Sequence, residues 1–133
     1  MLTMVIDDSR AMRLILKRIV AQLGFDVVEA GNGQEAMDYL TVNVLDGGGE
    51  IPGLALVDWN MPEMNGLEFV TAVRAEPRLR GMTLMMVTTE SEQSQIVRAL
   101  AAGAHEYVIK PFTEGAMIEK LALLGLVPTG ANS

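Results

Sequence analysis

Leu54-Ala55-Leu56-Val57-Asp58-Trp59-Asn60-Met61-Pro62-Glu63-Met64-Asn65-Gly66 is the stretch that decides the fold. It begins as a short, unbroken apolar run, the pattern of a strand buried on both faces of a parallel sheet. The run stops at a carboxylate. A loop with Pro62 and an Asn-Gly pair follows, and apolar residues then recur at helical spacing at Leu67, Val70 and Val73. An acid at the carboxyl end of a buried strand, just before a strand-to-helix loop, stands where open α/β sheets place their ligands. Alone, Asp58 could equally be a strand breaker, since Asp is depleted in strands and favours turns. The rest of the chain has to decide.

Working outward, the same unit recurs. Leu2 to Ile6 reads as a first strand stopped by Asp7-Asp8, with Ser9 suited to cap a helix. Met12, Ile15, Leu16, Ile19, Val20 and Leu23 form one apolar stripe, and Gly24 ends it. Asp26 to Ala30 is a second strand, and Asn32 with Glu35 resembles a capping box for a helix reaching Leu40 or Leu45. Residues 46–53 are a Gly-rich connection. Pro77 to Gly81 closes the third helix. Thr83 to Val87 is a fourth buried strand, ending at Thr88-Thr89, and a helix from Ser91 to Ala102 should turn Ile96, Val97 and Leu100 inward. Glu106 to Ile109 is the fifth strand, stopped by Lys110-Pro111. Thr113 caps a last helix carrying Met117, Leu121 and Leu124. Five strands alternating with five helices require a parallel sheet with helices on both faces. The expected organisation is one domain over residues 1–124 and a loose tail over 125–133.

Composition excludes several classes. A net charge of −7 argues against a nucleic-acid surface, which needs basic side chains to neutralise phosphates, and against an anionic membrane. There is no cysteine, hence no disulfide framework or thiol chemistry. No apolar run approaches the roughly 20 residues needed to span a bilayer, and no signal peptide is legible. The expectation is a cytoplasmic protein. The ten methionines lie mostly in strand or helix-face positions and read as core filler.

At the strand ends stand Asp7 and Asp8, Asp58, Thr88 and Lys110. In a parallel sheet these ends share one edge. Three crowded acids repel one another unless a cation sits among them. A hard divalent ion that accepts one or two carboxylates and also takes phosphate oxygens fits Mg²⁺ better than a calcium cage. With that charge offset, one carboxylate can attack phosphorus, while Lys110 and the Thr88 hydroxyl donate to the phosphoryl oxygens.

These residues resemble the receiver domain of bacterial two-component response regulators, and Asp58-Trp59-Asn60-Met61-Pro62 is most similar to the single-domain, CheY-like chemotaxis type. The resemblance runs from Leu2 to Leu124. It implies a flavodoxin-like doubly wound (βα)5 fold with strand order 2-1-3-4-5, an order taken from the family and not from the spacing. It implies that Asp58 accepts a phosphoryl group from a phosphohistidine on a histidine kinase. Mg²⁺ would be held by Asp8, Asp58 and the Asn60 carbonyl, with Asp7 acting through water. Lys110 would pair with the phosphoryl group, ahead of a cis bond to Pro111. Thr88 and Tyr107 would be the switch pair, Tyr107 swinging inward, and Asn60, Thr89 and Glu90 would tune how long the phosphate survives. The expected output is binding of a protein such as a flagellar motor-switch component. The expected state is a monomeric signalling switch, not an enzyme.

Three readings stay open beside it. The receiver could drain a kinase as a phosphate sink or relay. A phosphohydrolase of the haloacid-dehalogenase type also uses Mg²⁺ and a nucleophilic Asp, but needs a second Asp where Asn60 stands. A flavin or nucleotide binder needs an anion cradle after the first strand, where Asp7-Asp8 would repel phosphate. Among single residues, Trp59 is expected to be a partly exposed platform. His105 is read as a surface residue without nearby partners, and Phe112 as an anchor of the final loop.

Overall fold

The structure, a computed structural model, describes residues 1–127. Five strands, β1 (Leu2–Ile6), β2 (Asp26–Ala30), β3 (Leu54–Val57), β4 (Thr83–Thr88) and β5 (Glu106–Ile109), form one sheet in the order β2-β1-β3-β4-β5. Every pairing is parallel, so all five carboxyl ends lie on one edge. The helices are α1 (Arg10–Gln22), α2 (Gly33–Tyr39), α3 (Gly66–Ala75), α4 (Gln93–Ala102) and α5 (Glu114–Leu123). The doubly wound architecture expected from the sequence is therefore present in its expected order.

Alternate side chains of the inner strands feed two cores. Met4, Ile6, Ala55, Val57, Leu84 and Met86 pack with Ala36, Phe69, Val70, Val73 and Ala99, on the face covered by α2, α3 and α4. Val5, Leu54, Leu56, Met85, Val87 and Val108 pack with Leu16, Ile19, Val20, Met117 and Leu121, beneath α1 and α5. Because β1, β3 and β4 are flanked by strands and covered on both faces, they read as continuous apolar runs. Met4, Met82, Met85, Met86 and Met117 are all fully buried, which bears out their reading as core filler.

Three helix starts, at Ser9, Asn32 and Thr113, were legible because their caps are local, whereas the sequence reading took Asn65 only as part of a turn. Ser9, Asn32, Asn65 and Thr113 each accept a hydrogen bond from a backbone N–H three residues on, and Asn65 with Glu68 completes a capping box. Beyond Tyr39 the second helix widens into a π-helical segment, Leu40–Leu45, which keeps Leu40 and Val44 buried. The Gly-rich connection folds back on it. Gly49 donates to the Asn43 carbonyl at 2.8 Å, and a Cβ at Gly49 would collide with that same oxygen.

Four expectations are corrected. Val97 and Leu100 face solvent, because Ala99 and Ile96 supply the contact of α4 with the core. Ile15 is also exposed, the buried stripe of α1 being narrower than its apolar pattern. Val127 is buried against the α5 core, so the chain stays packed past residue 124. The remainder of the expected tail, 128–133, lies outside the described residues.

His105 is the fourth, and only in part, since it is exposed as expected. It has partners that no local pattern announces. Its Nδ1 accepts from the Leu84 N–H at 3.1 Å and lies 3.1 Å from Nη2 of Arg74, whose guanidinium also donates to the carbonyls of Gly103, Arg80 and Met82. Neither donor can reverse its role, so the neutral ring with its proton on Nε2 is the form that fits. Burial first, and then the Arg74 charge, hold the imidazole below its usual 6.5. The unfolded chain thus takes up the proton more readily than the folded one, and stability falls as pH drops below about 6.5. We expect H105Q to flatten that part of the curve in thermal melts between pH 7.5 and pH 5.5. An identical pH dependence in both proteins would show that the contact contributes nothing.

Candidate functional site

Each strand delivers its last residue, or the one just beyond, to the carboxyl edge. Asp7 follows β1 and is 1% exposed, Asp58 follows β3 and is 8% exposed, and Thr88 ends β4 fully buried. Asp8 is exposed. Lys110 follows β5 and reaches back over the edge, its Nζ 2.6 Å from Asp7 Oδ2 and 3.8 Å from Asp58 Oδ1. One carboxylate oxygen from each of Asp7, Asp8 and Asp58 lies within 4.8 Å of the others. The three acids and the amine singled out in the sequence are thus brought together.

Backbone donors hold the acids in fixed poses. Asp7 Oδ1 accepts from the Ser9 N–H at 2.8 Å, and Asp58 Oδ1 from the Trp59 N–H at 2.9 Å. Among the described residues, no backbone N–H meets Asp58 Oδ2. The loop after β3 is drawn tight by Gly66, which donates to the Trp59 carbonyl at 2.9 Å and whose missing side chain leaves room for the Asp58 carbonyl. The same fold-back buries Trp59 to 7% exposure in the core, which corrects its reading as a partly exposed platform.

Burial, and then the charge of Asp7, push the Asp58 carboxyl above the ordinary carboxylate range. Lys110, the Thr88 hydroxyl and the Trp59 amide act in the opposite sense. This is the electrostatic signature of a site short of positive charge. An all-oxygen donor set of three carboxylates, one of them exposed and two stabilised by only one ammonium, suits a hard divalent cation.

The loop after β4 is tied to the site and to β5. The Glu90 N–H donates to Thr88 Oγ1 at 3.3 Å, and the Glu90 carbonyl accepts from the Tyr107 hydroxyl at 2.7 Å. Tyr107 is 7% exposed, and burial, Glu90 and Asp58 raise its phenol to about 12. The ring is therefore already inward in this structure. Asn60 and Thr89 stand exposed in the loops after β3 and β4, on the same edge. Phe112 packs against the α1–α5 core, as expected of an anchor.

Arg13 was not singled out in the sequence. Its Nη1 donates to the Asp7 carbonyl at 2.7 Å and its Nε to Glu29 Oε1 at 3.2 Å. No motif signals this, because the acceptor nearest the site is a backbone carbonyl.

The family described as "Response regulator receiver domain" matches residues 3–122. A chemotaxis protein CheY homolog of Campylobacter jejuni is 47% identical over 119 residues, covering 89% of this chain and 87% of the relative. Chemotaxis protein CheY1 of Helicobacter pylori is 41% identical over 122 residues, covering 91% and 94%. The solved structure of the Vibrio cholerae chemotaxis protein CheY4 superposes with a TM-score of 0.80 at 27% identity, over 92% of this chain and 96% of that one.

Proposed function

The chain belongs to the response regulator receiver family, and from that premise we propose that it carries chemotaxis signals by accepting a phosphoryl group on Asp58 and rebinding a partner in consequence. It is a signalling switch of the CheY-like type, not a turnover enzyme. The observation that carries the reading is the rim itself, with Asp7, Asp8 and Asp58 gathered within 4.8 Å and Lys110 reaching over them.

The chain's own residues account for the chemistry. Asp58 Oδ2, the oxygen not tied to the Trp59 amide, attacks phosphorus as the donor's imidazole leaves. Lys110 turns from Asp7 towards the new phosphoryl oxygens, and the buried Thr88 hydroxyl donates to another. Magnesium, held by Asp8, Asp58 and the Asn60 carbonyl with Asp7 behind them, would offset the charge of the acids and of the incoming phosphate. Thr88 Oγ1 accepts from Glu90, and Glu90 accepts from Tyr107, so a hydroxyl drawn to the phosphate pulls on the loop that ends at Tyr107. Asn60, Thr89 and Glu90 border the rim and set the access of water to it.

The partners proposed are a chemotaxis histidine kinase and a flagellar motor-switch protein, met in the cytoplasm. Among the described residues no helix is long and apolar enough to cross a membrane. The hydrolase reading lapses with the family assignment and with Asn60 standing where a second acid is required. The test is binding of the motor-switch protein to the chain with and without beryllofluoride in Mg²⁺. At least about tenfold tighter binding of the loaded form is expected, a coupling of ordinary size. Equal binding, with phosphate merely drained from the kinase, would make the chain a sink.

A further inference from the structure

Asp7 is held by all of its polar groups. Its N–H donates to the Ala30 carbonyl at 3.1 Å, Oδ1 accepts from the Ser9 N–H at 2.8 Å, and Oδ2 accepts from Lys110 Nζ at 2.6 Å. Its carbonyl is the exception to the sheet pattern. The ladder between β1 and β2 ends at Ile6 opposite Ala30, where the second strand turns away through Gly31 towards α2. No further strand N–H is therefore in place to donate to that oxygen. Arg13, from the first turns of α1, fills the position at 2.7 Å. The other edge of its guanidinium lies on Glu29 of β2, which Lys17 also meets at 3.6 Å. The fork thus bridges helix, strand end and sheet edge, with its side chain only 18% exposed.

We propose that Arg13 is a positioning residue for the acidic rim. It fixes the peptide joining Asp7 to Asp8, and so holds the exposed Asp8 carboxylate at the right distance from Asp58 to share a divalent cation. The inference rests on the reading of the rim as a magnesium-dependent phosphoacceptor site and adds a residue outside it. Partners that orient metal ligands in this way are worth about 10–100-fold in metal affinity.

The test compares R13Q, R13K and E29Q in two measurements. In the metal-free protein, the backbone amide of Asp8 should have a ¹⁵N order parameter near the rigid value of about 0.85, and R13Q should lower it while E29Q does not. In calorimetric titration with magnesium chloride, R13Q should weaken binding about tenfold. R13K, which keeps one charged donor, should recover most of the loss, and E29Q should stay close to the wild type. Unchanged Asp8 dynamics and Mg²⁺ affinity in R13Q would overturn the proposal. So would an equal loss in E29Q, which would assign the effect to the bridge to β2. A wild-type chain that binds no Mg²⁺ would defeat the underlying reading of the rim, and this one with it.

Discussion

Asp58→Asn is expected to lower phosphate incorporation from acetyl phosphate in Mg²⁺ by at least about 10³-fold, because it removes the attacking oxygen and leaves the rest of the rim in place. The same substitution should stabilise the metal-free protein. Asp58 sits 8% exposed beside the charge of Asp7, and its carboxyl is pushed upward, first by burial and then by that charge. The folded state therefore holds this proton more tightly than the unfolded chain does. The charged form is a cost to folding that grows as pH rises above the ordinary value of 3.8 and persists at neutral pH. Asn keeps the shape and an oxygen for the Trp59 N–H without the charge. At this chain length each kcal/mol gained raises the melting midpoint by about 4 °C, so the gain is readable by calorimetry. A variant that is inactive but melts lower than the wild type would mean that the loss reflects disruption and not a missing nucleophile.

Lys110→Met should move stability the other way. Its ammonium is the cation nearest to two carboxylates whose side chains are 1% and 10% exposed, and it lies 2.6 Å from the first. Met keeps the aliphatic stem and removes the charge. Stranding a buried charge in this way costs about 3–5 kcal/mol, and partial access of water to the rim puts the expectation at the lower end. Two conditions should restore much of the loss in urea unfolding. Lower pH protonates Asp58, the acid already predisposed to it, and millimolar Mg²⁺ replaces the missing positive charge. Phosphate acceptance should fall about 10²-fold, the usual effect of losing one donor to a developing oxyanion. If K110M were as stable as the wild type at pH 7.5 without Mg²⁺, the ion pairs seen in the structure would not be contributing.

The fold was legible because its signals are local and repeated. Apart from β2, each strand is a largely apolar run that stops at a polar residue, and three helices start at a side-chain cap read from the chain. The rim was legible for a topological reason. Once the sheet is parallel, strand ends must share an edge, and Asp7, Asp8, Asp58, Thr88 and Lys110 are all strand-end residues. What escaped depends on contacts between distant segments. His105 lies 31 residues from Arg74, and Arg13 serves a carbonyl, a group every residue possesses. The apolar stripe of α4 overstated its buried face, since small Ala99 supplies the close approach and leaves Val97 and Leu100 outside. Trp59 was misread because its burial follows from the fold-back at Gly66, which the Asn-Gly turn signal did not reveal.

The most direct measurement is to trap the acyl phosphate chemically. After incubation with acetyl phosphate and Mg²⁺, borohydride reduction turns a phosphorylated aspartate into homoserine, which peptide mass spectrometry locates. The account predicts homoserine at position 58, dependent on Mg²⁺, with Asp7 and Asp8 unchanged. Reduction at Asp7 or Asp8, or none at Asp58 under conditions in which the chain takes up phosphate, would contradict it.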